Sequence, residues 1–126
     1  MTPRFRKLFT PQEANHRLPL IKKIVTDILE KGQTLQAKVT TLKAGQPSAE
    51  CVALEEEIEN LMKELENLGC FYKDWNFTVG LIDFPAVIHG QEVFLCWRSD
   101  ESFLRWYHGI EEGFTGRKLI PENLLD

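Results

Sequence analysis

The sequence lacks any apolar run that approaches the roughly 20 residues of a membrane-spanning helix. It also lacks the apolar core of a secretory signal peptide near its first residues. Cysteine is scarce: Cys51, Cys70 and Cys96 form no CxxC pair, and one of them stays unpaired in any disulfide scheme. These absences predict a protein that does not span a membrane and resides in the reducing cytoplasm.

Excess positive charge is missing as well. The chain has 15 Lys and Arg against 19 Asp and Glu, which gives a formal net charge of -4 and a pI near 5.4. Binding to a phosphate backbone needs a basic surface, and the only basic cluster is Arg4, Arg6 and Lys7. The composition therefore argues against nucleic acid as a partner.

Established catalytic signatures are also absent. The sequence contains no HExxH, CxxC, phosphate loop, GxSxG or dinucleotide fingerprint. It therefore defines no activity and leaves any cofactor unknown.

The first half of the chain carries two heptad stripes whose steps alternate between three and four residues, as in a coiled-coil seam. The first stripe consists of Leu18, Ile21, Val25, Ile28, Gly32, Leu35, Val39 and Leu42, and the second of Cys51, Leu54, Ile58, Leu61, Leu65 and Leu68. A short loop, residues 44–48, separates them, and short loops join antiparallel helices. The pattern predicts a helical hairpin over residues 10–69.

Local signals define the ends of these helices. Thr10 and Glu13 form a capping-box pattern around Pro11. Ser48 is a candidate N-cap of the second helix, and Gly69 is a candidate C-cap. Pro19 falls inside the first helix, where it should kink the helix or divide a short first segment from the long one.

Matching the stripes sets a register. It places Gly32 opposite Leu61, which suggests that the missing side chain admits Leu61 or a second backbone, with a tolerated defect as the alternative. At the flanks the same register pairs lysines of helix one with glutamates of helix two, in the pairs Lys38–Glu57 and Lys31–Glu64. A hairpin leaves apolar surface beside its seam. We therefore expect a homodimer through helices 18–43 and 49–68, with another protein partner as an open alternative.

The second half, residues 70–126, changes to a period of two. Residues 80–88 and 91–97, joined by His89-Gly90, predict a β-hairpin with one apolar face directed at the helices and a second face that carries Asp83 and Cys96. Pro85 indicates that the first strand lies at an edge of the sheet.

Shorter segments complete the predicted fold. Residues 101–107 suggest one or two helical turns, residues 118–120 a third strand, and residues 7–9 a strand that could join the sheet. The expected architecture is α+β: one domain over residues 1–126, with a long antiparallel helical hairpin and a small antiparallel sheet.

Several segments resemble the bacterial domain-of-unknown-function family 2203. The resemblance rests on Gly-Leu-Ile-Asp-Phe-Pro at 80–85, Leu-Cys-Trp at 95–97 and the residues around His108, and it covers nearly the whole chain. It also includes Phe9-Thr10, Glu13-Ala14-Asn15, Leu18-Pro19, Glu101, Gly113-Phe114 and Gly116-Arg117. The family has no established activity, so the resemblance implies an identity without a function.

The residues able to support chemistry are Asp83, Cys96, Arg98, Glu101, His108 and Arg117. Asp83, Glu101 and His108 could bind a divalent metal or act as acid-base groups. Glu101 and His108 would share a face if the segment between them were helical. Arg98 and Arg117 could hold a carboxylate or a phosphate.

A structural interpretation of the same residues stays open. Asp83–Arg98 and Glu101–Arg117 could be ion pairs that tie the sheet to the C-terminal loop, and Cys96 could be a small buried hydrophobe. The leading functional hypothesis is a cytoplasmic interaction or scaffold module that acts through its helical hairpin. The alternative is a small metal- or anion-dependent enzyme or binding protein.

Overall fold

A computed structural model describes residues 7–41, 48–74 and 76–125. Two long helices, α1 (Pro11–Thr41) and α2 (Ala49–Leu68), precede five strands: β1 (Phe71–Tyr72), β2 (Leu81–Ile88), β3 (Gln91–Arg98), β4 (Trp106–Gly109) and β5 (Lys118–Leu119). A 3₁₀ turn (Phe114–Gly116) precedes β5, and a short helix, α3 (Glu122–Leu125), follows it. The strands form one antiparallel sheet in the order β1-β2-β3-β4-β5. The predicted α+β class is confirmed.

The predicted helix ends are confirmed by their hydrogen bonds. The Glu13 amide donates to Thr10 Oγ1 at 3.1 Å, and the Thr10 amide donates to Glu13 Oε1 at 3.2 Å, which is the reciprocal capping box. Ser48 Oγ accepts from the Cys51 amide at 3.2 Å, and Gly69 ends α2 with a φ of 97°. A side chain would strain that left-handed conformation, so glycine suits the position.

Pro19 does not divide the first helix. α1 continues through it as one element of 31 residues, so the predicted separate first segment is wrong. Ala14, Leu18 and Ile21 are buried around this point, and their packing supports the helix where proline removes one backbone hydrogen bond.

Some residues used in the sequence-based predictions lie outside the described part of the chain. They are Arg4, Arg6 and residues 42–47.

The two long helices pack antiparallel, but their ion pairs differ from those predicted. Lys31 Nζ lies 3.0 Å from Glu57, and Lys38 Nζ lies 2.5 Å from Glu50. Each glutamate is one heptad nearer the start of α2 than the predicted partner. Because long flexible side chains reach either neighbouring heptad, charge pattern alone cannot fix the axial offset.

The side chain that packs closely against Gly32 is not the one predicted. A Cβ atom at this position would lie 2.2 Å from Cγ of Phe77, whose ring comes from the loop between β1 and β2. The close approach is therefore real, but the prediction of Leu61 or a second backbone as its cause is wrong. Phe77 has a φ of 56°, an uncommon backbone conformation for a bulky residue, which its packing against α1 maintains.

Side-chain amides fasten the same loop to α1. Gln33 donates to the Phe77 carbonyl at 3.0 Å, and Gln36 donates to the Asn76 carbonyl at 3.1 Å. Within the loop, the carboxylate of Asp74 accepts hydrogen bonds from the amides of Asn76, Thr78 and Val79. Asn76 and Phe77, in the connection from β1 to β2, are thus fixed to α1.

The predicted β-hairpin and its register are confirmed. Asp83 lies opposite Cys96, and the two-residue turn has positive φ at both His89 (52°) and Gly90 (78°). Two positive φ values match the right-handed twist of the flanking strands. One face of the hairpin enters the core with α1 and α2, through Ile82, Phe84, Ala86, Val93, Leu95 and Trp97.

The prediction that the first strand of the hairpin is an edge is wrong, because β1 pairs with it. β1 has two residues, which pair with Ile82 and Asp83 of β2. β1 therefore does not pair with β2 at Pro85. There the Pro85 carbonyl accepts from the Phe9 amide at 2.7 Å. The nitrogen of a strand residue points to the same side as its carbonyl, so the missing N–H of Pro85 removes no bond to β3. Residues 7–10 form no strand, and Phe9 contributes this single bond.

The segment after β3 is not helical, so the predicted helical turns at 101–107 are wrong. Residues 101–103 bend, and the chain enters β4 at Trp106. Asn15 of α1 holds the bend, since its side-chain amide donates to the Leu104 carbonyl at 2.9 Å and accepts from the Leu104 amide at 2.7 Å. The predicted final strand is present as β5.

Candidate functional site

Three neighbouring strands bring one acidic, one sulfur and one imidazole side chain together. Asp83 on β2 lies opposite Cys96 on β3, and His108 on β4 lies opposite Phe94, two residues from Cys96 along β3. Residues two apart on a strand share a face, so all these side chains lie on the sheet face away from the helices. The potential ligand atoms of Asp83, Cys96 and His108, hereafter the Asp–Cys–His cluster, lie within 4.8 Å of one another.

All three residues of the cluster are buried. Asp83 is 5% exposed, Cys96 1% and His108 4%. Burying charged groups costs several kcal/mol unless they are paired or coordinate a metal. The cluster therefore needs a compensating arrangement, which in the structure is supplied by contacts between its own members.

His108 is engaged at both ring nitrogens. Nε2 lies 3.1 Å from Asp83 Oδ1, and Nδ1 lies 2.8 Å from the carbonyl oxygen of Gly109. Both neighbours accept hydrogen bonds, so a ring that satisfies both is doubly protonated. The hydrogen bond that Nε2 donates to Asp83 raises the pKa of His108 to about 10, with a further contribution from Cys96.

Cys96 is a thiol in this environment. Burial raises the pKa of its side chain, and this effect outweighs the hydrogen bond from His108, which acts in the opposite direction. A protonated imidazole cannot act as a base toward a protonated thiol. The geometry therefore does not support a nucleophilic cysteine activated by histidine.

The Asp–Cys–His cluster forms the floor of a cavity of about 340 Å³. Apolar side chains make most of its walls, and Lys73 and Glu112 contribute charge at its edge. Glu112 Oε1 accepts from the Gly109 amide at 2.8 Å and lies 3.6 Å from Lys118 Nζ, so this carboxylate is held at the end of β4. The Gly109 amide lowers the pKa of Glu112, which keeps it ionised.

The other predicted site residues form a second group. Glu101 accepts a hydrogen bond from the Arg98 amide at 2.7 Å and pairs with the guanidinium of Arg117. Arg117 stacks between Trp106 and Phe114, whose ring centres lie 4.7 and 4.6 Å from its guanidinium carbon. The group borders a second cavity of about 440 Å³.

The structure contains one of the two ion pairs predicted from the sequence and lacks the other. The Glu101–Arg117 ion pair is present, but Asp83 pairs with His108, and Arg98 lies 3.0 Å from Asp100. The predicted Asp83–Arg98 pair is therefore wrong. Arg98 ends its strand beside a turn that carries a nearer carboxylate, and Asp83 faces inward across β3.

Glu101 does not lie in the cluster with Asp83 and His108, because the expected helix that would have aligned it with His108 is a bend followed by a strand. Cys96 takes the place predicted for Glu101. The correct hairpin register already placed Cys96 beside Asp83. The third strand carries no period-two signal, because Trp106 and Tyr107 are both half-buried and its one buried residue is His108.

The fold and cluster define an α+β protein with a buried Asp–Cys–His group beneath an open cavity. The chain belongs to the family described as "Uncharacterized conserved protein (DUF2203)", whose model matches residues 7–120. Comparison with curated proteins and with solved structures gave no match. Over the described ranges, neither long helix offers an apolar length sufficient to cross a bilayer.

Proposed function

We propose that this protein is a metal-dependent enzyme or binding protein for a small molecule, with one divalent transition metal held by Asp83, Cys96 and His108. The observation that carries the proposal is the convergence of these three side chains, of three ligand types, on one buried point under a cavity. A thiolate, an imidazole and a carboxylate together suit zinc better than magnesium or calcium, which prefer oxygen ligands alone.

The dimensions fit such an ion after a small contraction. Zinc bonds to these ligand types at about 2.0–2.3 Å, so ligand atoms around a tetrahedral ion lie about 3.5 Å apart. The atoms of the cluster, at up to 4.8 Å, would need to approach by roughly 1 Å. Side-chain rotation can supply a movement of this size without a change in strand register.

His108 already has the outer contact of a typical metal ligand. Its Nδ1 lies 2.8 Å from the Gly109 carbonyl oxygen, which leaves Nε2 as the nitrogen directed into the cluster. Metal-bound histidines commonly donate their other N–H to a carbonyl or a carboxylate in this way. On metal binding, Nε2 and the Cys96 thiol would each release a proton.

Three protein ligands leave a fourth tetrahedral position. Structural zinc sites are usually closed by four protein ligands, whereas catalytic sites keep one position for water or substrate. The cavity above the cluster gives that position access to a small molecule. The ion would lower the pKa of a bound water and polarise a bound oxygen, and these are the chemistries we propose for the site.

The test is the metal content of untagged protein by elemental mass spectrometry. We expect about one zinc, or another divalent transition ion, per chain, and a loss of at least tenfold in Cys96→Ser and His108→Gln. Cys51→Ser is the matched control, because Cys51 is also buried but lies on α2. Metal-free protein that stays metal-free after dialysis against zinc would refute the proposal and leave the cluster as a structural ion pair beside a thiol.

A second proposal concerns the helical hairpin, which we propose forms a homodimer of coiled-coil type. The exposed fraction of the residues along the α1 seam rises from 0% at Ile28 to 52% at Val39. On α2, Val52 is 53% exposed. Lysines concentrate on α1 and glutamates on α2, so α1 of one chain attracts α2 of a second copy. This assembly would present the hairpin as the interaction module expected from the sequence.

Light scattering tests the assembly. Val39→Glu combined with Val52→Glu should convert a dimer to a monomer that stays folded, since both side chains are exposed within one chain. A wild-type protein that is monomeric at micromolar concentration would refute the dimer.

We also propose that the protein resides in the bacterial cytoplasm. The proposal is supported by its three cysteines, which are all free.

A further inference from the structure

The cavity above the Asp–Cys–His cluster has an unbalanced charge. Lys73 lies at its edge, with Nζ 5.7 Å from the centre of the Phe94 ring and 6.0 Å from that of Phe71. Among the residues that the structure describes, no carboxylate lies within ion-pair distance of Lys73, although the chain as a whole is acidic. Its ammonium group is thus available to a ligand.

The other charges of the cavity cancel. A divalent ion would balance the carboxylate of Asp83 and the thiolate of Cys96, and His108 would be neutral as a ligand. Glu112 is balanced by Lys118 and is further stabilised by the Gly109 amide. With the metal bound, the cavity therefore carries one net positive charge, which is that of Lys73.

Apart from these charged residues and the cluster, the cavity walls are largely apolar and aromatic. They are formed by Leu81, Phe94, Ile110 and Phe114. The Phe94 ring lies between the two ends of the cavity, with the His108 ring centre 5.6 Å from its own and the Lys73 ammonium over it. A ligand that extends from the metal to Lys73 would lie along this aromatic surface.

From these features we infer that the site takes a small organic monoanion, a carboxylate with an apolar or aromatic body, whose anionic group pairs with Lys73. The inference rests on the proposed metal site and specifies its ligand class. A carboxylate oxygen accepts a charge-assisted hydrogen bond from the ammonium group, and the body buries apolar surface against Phe94. A neutral molecule of the same shape would form no ion pair with the ammonium group.

The experiment is a calorimetric titration of zinc-loaded, untagged protein with benzoate, which has one negative charge and an aromatic body. Benzyl alcohol serves as the neutral comparison of similar size. We expect benzoate to bind at least tenfold more tightly than benzyl alcohol. Lys73→Met should weaken benzoate binding about tenfold and leave benzyl alcohol unchanged, whereas Lys73→Arg should stay within about threefold of wild type.

Controls separate the two proposals. Lys73 is exposed and its side chain makes no hydrogen bond in the described structure, so Lys73→Met should fold and keep its zinc. Lys63→Met, a charge removal on α2, should not change benzoate binding. Stoichiometric zinc with equal benzoate affinity in wild type and Lys73→Met, or with no benzoate binding, would overturn the monoanion inference alone. Failure to bind zinc would overturn both proposals.

Discussion

At the scale of single residues, the Asp83–His108 contact connects the stability of the metal-free protein to pH. The pKa of His108 is raised to about 10 in the folded chain, against about 6.5 for an ordinary histidine. The folded state therefore binds more protons than the unfolded state between these values. The resulting stabilisation is complete below about pH 6.5 and is lost as the pH rises through the folded-state pKa.

We accordingly expect the free energy of unfolding of metal-free protein to fall by about 1–2 kcal/mol between pH 6.5 and 8, since each pH unit contributes at most about 1.4 kcal/mol. This window lies below the ionisation of unfolded cysteines, which would add a separate loss at higher pH because burial raises the pKa of Cys70 and Cys96. Urea denaturation measures the effect. The slope should flatten in Asp83→Asn, and an unchanged slope in that variant would count against the ion pair.

A second residue-scale prediction concerns Gly32. Alanine usually stabilises a helix interior by about 1 kcal/mol relative to glycine. Here its Cβ would collide with the Phe77 ring at 2.2 Å, so we expect Gly32→Ala to destabilise the protein by about 1–3 kcal/mol. Chemical denaturation checks this, with the exposed Thr34→Ala on the same helix as the control.

The double variant Gly32→Ala with Phe77→Ala tests the mechanism. Without the ring, the added methyl group should cost nothing, so the two changes should be non-additive by at least about 1 kcal/mol. Strict additivity would mean that Gly32 matters for a reason other than its contact with Phe77.

At the scale of elements, we expect the buried apolar stripe of the two long helices to contribute more to the stability of the fold than the ion pairs between them do. Ile58 is 5% exposed in α2, whereas Val52 of the same helix is 53% exposed. For the monomeric chain, at a concentration low enough to dissociate the proposed dimer, Ile58→Ala should therefore cost about 2–5 kcal/mol, and Val52→Ala should stay within about 0.5 kcal/mol. Thermal or chemical unfolding of both variants makes the comparison, and a similar cost for the two would contradict the seam described here.

The elements that the sequence predicted correctly are those with strong local rules. Heptad spacing, a capping box and the His89-Gly90 turn each depend on neighbours in the chain, and the helices and the hairpin register followed from them. The turn placed Asp83 opposite Cys96, and these are two of the three residues of the candidate site.

The elements that the sequence did not predict depend on distant contacts. The bend at residues 101–103 is held by Asn15, which lies 89 residues from Leu104 along the chain. Likewise, the ring that fills the gap at Gly32 comes from a loop 45 positions away in the numbering, at Phe77. Contacts between residues so far apart in the chain leave no periodic pattern in the sequence. β4 and the position of His108 therefore could not be derived from the hydrophobic pattern alone.

At the scale of the whole molecule, the proposed ligands join three neighbouring strands of a sheet whose other face packs on the helices. A metal that binds only the folded arrangement should stabilise the entire fold. With free zinc at 100 times the dissociation constant, the gain is about 2.7 kcal/mol. We expect a corresponding rise in the melting temperature, measured by calorimetry, that is absent in Cys96→Ser and present in Cys51→Ser.

The most direct test of the metal site is the absorption spectrum of the cobalt-substituted protein. Cobalt(II) replaces zinc in tetrahedral sites and reports its ligands, because a thiolate ligand gives a near-ultraviolet charge-transfer band and four-coordinate geometry gives intense visible bands. We predict both features at one cobalt per chain, with the charge-transfer band lost in Cys96→Ser and kept in Cys51→Ser. A spectrum with neither feature, or a charge-transfer band that survives Cys96→Ser, would contradict a metal held by Asp83, Cys96 and His108.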